Sequence, residues 1–107
     1  MSTIVISAGR NIGNMPMSNG QWSGMREQLS DALRAVDAEV FTRDAIGNGE
    51  WLDGLGRTIS EESVTYVASI DDKQLPVMEN LLRGIARANL QDAIALMVGN
   101  SILVKGE

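Results

Sequence analysis

Thr3-Ile4-Val5-Ile6-Ser7-Ala8 runs directly into Gly9-Arg10-Asn11-Ile12-Gly13-Asn14-Met15-Pro16-Met17-Ser18, and this junction decides the fold. The first six residues carry the period-two pattern of a strand, with Ile4 and Ile6 on one face and Val5 on the other. Ser18 then opens a helix. Gln21, three residues on, completes a capping box, and Met17 and Trp22 hold the two positions of a hydrophobic staple. Trp22, Met25, Leu29, Ala32, Leu33 and Val36 follow at the three-and-four spacing of one buried helix face. Gly20 and Gly24 weaken the first turns, but the caps outweigh them.

Downstream of this unit come two strands, a second helix and a last strand, with no internal repeat. Glu39 to Ala45 reads as a second strand. Gly47-Asn48-Gly49-Glu50-Trp51-Leu52-Asp53-Gly54-Leu55-Gly56, with four glycines in ten residues, reads as a long connection rather than a tight hairpin turn. Ser63 to Ile70 is rich in β-branched residues and forms a third strand. Asp71 and Asp72 are candidate caps for a second helix, in which Pro76 is tolerable only near the first turn. Its buried stripe is Met78, Leu81, Leu82, Ile85 and Ala86. Ala93 to Val98 is the last strong strand, and Gly99-Asn100 could turn the chain back through Ser101-Ile102-Leu103-Val104 as an added terminal strand.

Strand, helix, strand, strand, helix, strand is the α+β, ferredoxin-like order, a split βαβ (βαββαβ) with two helices on one face of an antiparallel sheet. Residues 1–107 make a single domain of this kind. The second sheet face then lacks cover from its own chain. Val5, Met97 and either Phe41 or Val40 fall on that face, and exposed apolar residues favour self-association. A homodimer or higher homo-oligomer is expected.

Composition excludes several function classes. There is no cysteine and no histidine among the 107 residues. Thiol chemistry, disulfides and the usual zinc ligands are therefore out, as is the commonest general base. Nine basic and fourteen acidic residues give a formal charge of −5, and the basic residues are scattered. Duplex nucleic acid is thus not an expected partner, since phosphate binding relies on clustered Lys and Arg. No stretch approaches a membrane span or a secretory leader, so a cytoplasmic protein without membrane contact is expected. No metal or cofactor is indicated.

Two loops carry the candidate ligand chemistry. At the first junction Arg10 could pair with an anion while Asn11 and Asn14 read polar edges of a ligand. Turn chemistry is the favoured explanation of the Asn, Gly and Pro residues, but leaves Arg10 unexplained. In the glycine-rich connection Trp51 could stack on a planar group and Arg57 could neutralise charge; burial alone could also make Trp51 a loop anchor. Glu61 and Glu62 point to opposite faces of a strand and so do not form an acid/base pair by themselves; one of them could simply orient Arg10 or Arg57. Tyr66 could donate a hydrogen bond or only pack.

Taken in order, Gly9-Arg10, Ser18 with Trp22, Gly49-Glu50-Trp51, Glu62-Ser63 and Gln91-Asp92-Ala93-Ile94 resemble a pattern in short uncharacterised bacterial (actinobacterial) and phage proteins, G-R…S-x-x-x-W…G-x-W…E-S…Q-[DE]-[AS]-[IV]. The resemblance implies the ferredoxin-like fold and no catalytic residue. The leading expectation is a small, non-enzymatic oligomeric module for a small anionic, nucleotide-like ligand, lined by Arg10, Asn11, Asn14, Trp51 and Arg57. A phage protein sequestering a host signalling nucleotide is its concrete form. The alternatives are a small cofactor-free enzyme of lyase or isomerase type and an acidic protein-interaction module.

Overall fold

The computed structural model describes residues 1–106. Its central strand β1 (Ser2–Gly9) lies beside two short strands, β2 (Asn11–Ile12) and β3 (Met15–Pro16), that form a separate two-stranded ribbon. Helix α1 (Asn19–Ala35), the hairpin strands β4 (Glu39–Leu52) and β5 (Thr58–Ile70), helix α2 (Leu75–Ala88) and strand β6 (Ala95–Gly99) follow. The main sheet has the order β4-β5-β1-β6, antiparallel at every pairing. This is the ferredoxin-like α+β arrangement expected from the element order.

Both helices cover one face. Ile4, Ile6 and Ala8 of β1 and Val64, Tyr66, Ala68 and Ile70 of β5 share one buried cluster with Trp22, Met25, Leu29 and Leu33 of α1 and Met78 and Leu82 of α2. Helix α1 begins as its sequence dictates. The Ser18 hydroxyl accepts from the Gln21 N–H at 3.2 Å, and Gln21 Oε1 accepts from the Ser18 N–H at 2.9 Å. A cap of this kind contributes about 1 kcal/mol. Met17 and Trp22, the staple pair, are both buried. Ahead of α2, Asp71 caps a 3-10 turn over Asp72–Gln74, and Pro76 falls in the first turn of the helix.

The connection between the second and third strands is shorter than its glycines suggest. Gly47 to Leu52 continue β4, paired residue by residue with β5 from Gly47↔Ser63 to Leu52↔Thr58. Only Asp53 to Arg57 turn. Asp53 Oδ1 accepts from the N–H groups of Leu55 and Arg57 at 2.8 and 2.9 Å, and Gly56 takes a positive φ of 77°. Glycine in a hairpin of this length still forms its ladder bonds through the backbone. Where β4 passes the core it carries two register shifts, with Asp44 at φ 53°. Val40 stays packed on the core while Phe41 is exposed.

The last strand begins at Ala95 rather than Ala93, and the added terminal strand is not formed. Ser101 to Gly106 adopt no regular element. The Ser101 and Thr3 hydroxyls are hydrogen-bonded at 2.7 Å. The open sheet face carries Val5 between Val67 and Met97, one apolar residue from each of three adjacent strands. Among the described residues no helix is long and apolar enough to cross a membrane.

Candidate functional site

The last pair of the β1–β5 ladder is Gly9↔Ser63. Beyond it β5 runs on toward the hairpin tip without β1 beside it. The β2–β3 ribbon fills part of that space, turning at Gly13 (φ 60°) and Asn14. Between ribbon and hairpin lies a depression of about 430 Å³ lined by Arg10, Asn11, Asn14, Pro16, Ser60, Glu61 and Glu62. Three of the five residues singled out from sequence therefore meet in one place.

Arg10 is held there on every side. Its backbone N–H donates to the Glu62 carbonyl at 2.9 Å, and its carbonyl accepts from the Met17 N–H at 3.0 Å. The guanidinium donates through Nε to the Met17 carbonyl (2.9 Å), through Nη1 to Glu62 Oε2 (2.9 Å) and through Nη2 to Asn19 Oδ1 (2.8 Å). It also sits 6.0 Å from the centroid of the Trp22 ring, whose other neighbour is Arg26 at 5.6 Å. The charge that sequence reading offered to an anion is thus shared with Glu62, and the guanidinium ties ribbon, hairpin and helix start together.

Asn11 is fixed through its backbone. Its N–H donates to Glu61 Oε2 at 2.7 Å, and its carbonyl accepts from Gln91 Nε2 at 3.0 Å. Glu61 reaches Asn11 by lying across Gly9. A Cβ built at Gly9 would overlap the Glu61 carboxylate, so glycine is the residue this contact requires. The side-chain amides of Asn11 and Asn14 make no hydrogen bond to any described residue. They stand on a ribbon whose base is locked, with no structural bond of their own to keep.

Trp51 and Arg57 lie elsewhere. Trp51 pairs with Ile59 on the hairpin arm and is 42 % exposed. By strand alternation it shares the open sheet face with Glu61, whose pairing partner is Gly49. Arg57 sits at the tip, where its Nε donates to Asp53 Oδ2 at 2.7 Å. Neither lines the depression. Residues that sequence reading did not assign to it include Ser60 on its wall and Asn19 and Gln91 behind it. Glycine at the end of a strand was the one available signal, and it points to Glu61 only once the register is known.

A second polar cluster lies under the β4 irregularity. The buried Tyr66 hydroxyl donates to the Arg26 carbonyl at 3.0 Å and lies 3.3 Å from Asp44 Oδ1. Arg26 pairs with Asp44 at 3.3 Å. Burial pushes the Tyr66 phenol up to about 12, and the neighbouring Asp44 charge adds to that effect. Tyr66 therefore both packs and bonds.

No family model and no curated protein matches the chain. Its fold is similar to solved structures. A phage SAM lyase in complex with S-methyl-5′-thioadenosine superposes with a TM-score of 0.64 at 14 % identity, over 91 % of this chain and 78 % of that one. The apo state of a phage SAM lyase gives 0.61 at 11 % identity, with the same coverage of both chains. A DUF3240 family protein from Shewanella baltica OS155 gives 0.52 at 8 % identity, over 99 % of this chain and 94 % of that one. At such identities the likeness is one of fold.

Proposed function

We propose that this chain is a small-ligand-binding protein, and that its ligand is nucleoside-like and sits in the depression between the β2–β3 ribbon and the hairpin. One observation carries the reading. The Asn11 backbone is bonded on both sides, by Glu61 and Gln91, while the Asn11 and Asn14 amides are left without a partner among the described residues. Polar groups held rigid but unengaged cost little to order when a ligand arrives. Two amides beside two carboxylates offer donors and acceptors suited to the hydroxyls of a sugar and the edge of a base. The structural likeness to a phage SAM lyase holding a thioadenosine, together with the resemblance to short phage proteins, supports the same ligand class.

Because Glu62 already balances the Arg10 charge, a phosphate on the ligand gains less from that guanidinium. Nucleosides are therefore favoured over the anionic nucleotides expected from the sequence. Self-association through the open sheet face belongs to the proposal, with Val67, Val5 and Met97 at its centre. Calorimetry with adenosine, S-methyl-5′-thioadenosine, S-adenosylmethionine, adenosine monophosphate and cyclic nucleotides tests it. A nucleoside or thionucleoside should bind, and Asn11→Ala and Asn14→Ala should each weaken it by up to about tenfold, the loss of one hydrogen bond. No binding by any of the five removes the reading.

A lyase-type activity is the second reading, favoured by the similarity to phage SAM lyases and by the half-buried Glu61 at the depression. Incubation with S-adenosylmethionine separates the two, since an enzyme releases S-methyl-5′-thioadenosine faster than a protein-free control. An unchanged substrate that nonetheless binds leaves the binding protein.

A further inference from the structure

Strand β6 is the outer strand of the sheet, with its free backbone edge facing solvent. On its helix side a groove of about 540 Å³ runs between β6 and α2, floored by Leu82, Ala86, Ile94, Leu96 and Val98. Val98 is 52 % exposed there, and Met97 on the opposite face is exposed to the same degree. The helix therefore does not finish covering this edge. An unpaired edge with apolar residues on both faces is a template for one more strand.

The chain carries a segment of that kind. Ile102, Leu103 and Val104 are 84, 91 and 86 % exposed and β-branched or apolar throughout, and they adopt no regular element. They do not reach their own groove. Thr3 lies on the open face of the sheet, opposite Gly99, and its hydroxyl holds Ser101 at 2.7 Å. The segment thus leaves past the end of β1, on the side of the sheet away from the groove.

We propose that Ser101 to Lys105 add as a strand to the β6 edge of a second copy of this chain. Alternation places Leu103 and Lys105 on one side and Ile102 and Val104 on the other. Leu103 enters the groove beside Leu96 and Val98, while Ile102 and Val104 cover Met97. Charge fits the same register. The groove rim carries Glu79, Arg83 and Asp92, and Arg83 pairs with Glu79 at 3.4 Å. Lys105 brings the positive charge that Asp92 lacks. Main-chain bonds supply the affinity and the alternating side chains the register, as in other strand additions. This inference does not depend on the ligand.

The absence of cysteine makes the test clean. Full-length chains carrying only Val98→Cys are mixed with chains carrying only Leu103→Cys and oxidised gently. Both positions are exposed, so each variant keeps its fold. A disulfide-linked species of twice the chain mass should form in the mixture and far less in either variant alone. Equal cross-linking in the separate variants, or none in the mixture, overturns the proposal. In the double variant Val98→Cys/Leu103→Cys, a disulfide confined to single chains would overturn it too, by placing the segment on its own edge.

Discussion

Arg10 shows how a residue that looks free in sequence is spent in the fold. Its guanidinium has three hydrogen-bond partners, drawn from Met17, Asn19 and Glu62. The sequence alone named Glu61 or Glu62 as a rival to a ligand for this charge, and the fold gives the charge to Glu62. Asn19 and Gln91 had no such cue: Gln91 meets Asn11 across 80 positions of chain, and nothing local marks that pairing. Tyr66 lends itself to a sharper test. Its hydroxyl is buried and bonded to the Arg26 carbonyl, and burial pushes the phenol from 10.0 up to about 12. The folded value is above the unfolded one, so the neutral phenol's contribution is complete below about pH 10 and is lost as pH rises through about 12. A shift of that size corresponds to roughly 2–3 kcal/mol. Urea unfolding of the wild type should show this loss, and Tyr66→Phe should not. At neutral pH that variant should cost about 1 kcal/mol for the bond it removes. Parallel alkaline curves for the two proteins would refute the assignment.

Among the elements, helices were legible and the hairpin was not. Capping box, staple and apolar spacing specify α1 through local chemistry, and each contact appears where the residues place it. Gly47 and Gly49 carry the opposite lesson. Glycine is read as turn because it is permissive, yet a long hairpin needs only backbone pairing from it. Gly47 stands opposite Ser63, which stands opposite Gly9, so a row of nearly bare backbone crosses three strands. The true turn signal was Asp53. Its carboxylate accepts from Leu55 N, Arg57 N and Arg57 Nε. The Arg57 backbone N–H, aided by the Arg57 side chain and the Leu55 N–H, holds this carboxyl below its ordinary 3.8. A depressed carboxyl stabilises above its ordinary value and loses that contribution as pH falls below it. Asp53→Ala should speed amide exchange at Leu55 and Arg57 by roughly tenfold while leaving the exchange of β1 amides unchanged. Exchange at the tip that stays as slow as in the wild type would show that the strands, not Asp53, hold the turn.

For the whole molecule the consequence is a sheet packed under both helices on one face and open on the other. The helix-covered face buries its β1 and β5 core residues fully, whereas Val5, Val67 and Met97 form an apolar row with no described element above it. Small residues beside the row, Ser7 on β1 and Thr65 on β5, keep the surface flat enough for another sheet to approach closely. Placing a charge in the row penalises such an approach directly, because a lysine buried there would lose its hydration without a partner. Val67→Lys points away from the core, so it should keep the wild-type circular dichroism and melting behaviour. Its assembled mass, read by size-exclusion chromatography with light scattering, should nevertheless fall. The terminal segment meets the same row at Met97 from the β6 edge, so Leu103→Ser should lower the mass as well, and the two changes together should give single chains. A wild type that is a single chain at every concentration tested would remove self-association altogether. A double variant that still assembles would place the contact on a third surface. The row Val67–Val5–Met97 can then be judged apart from the ligand, since its prediction is read in mass alone.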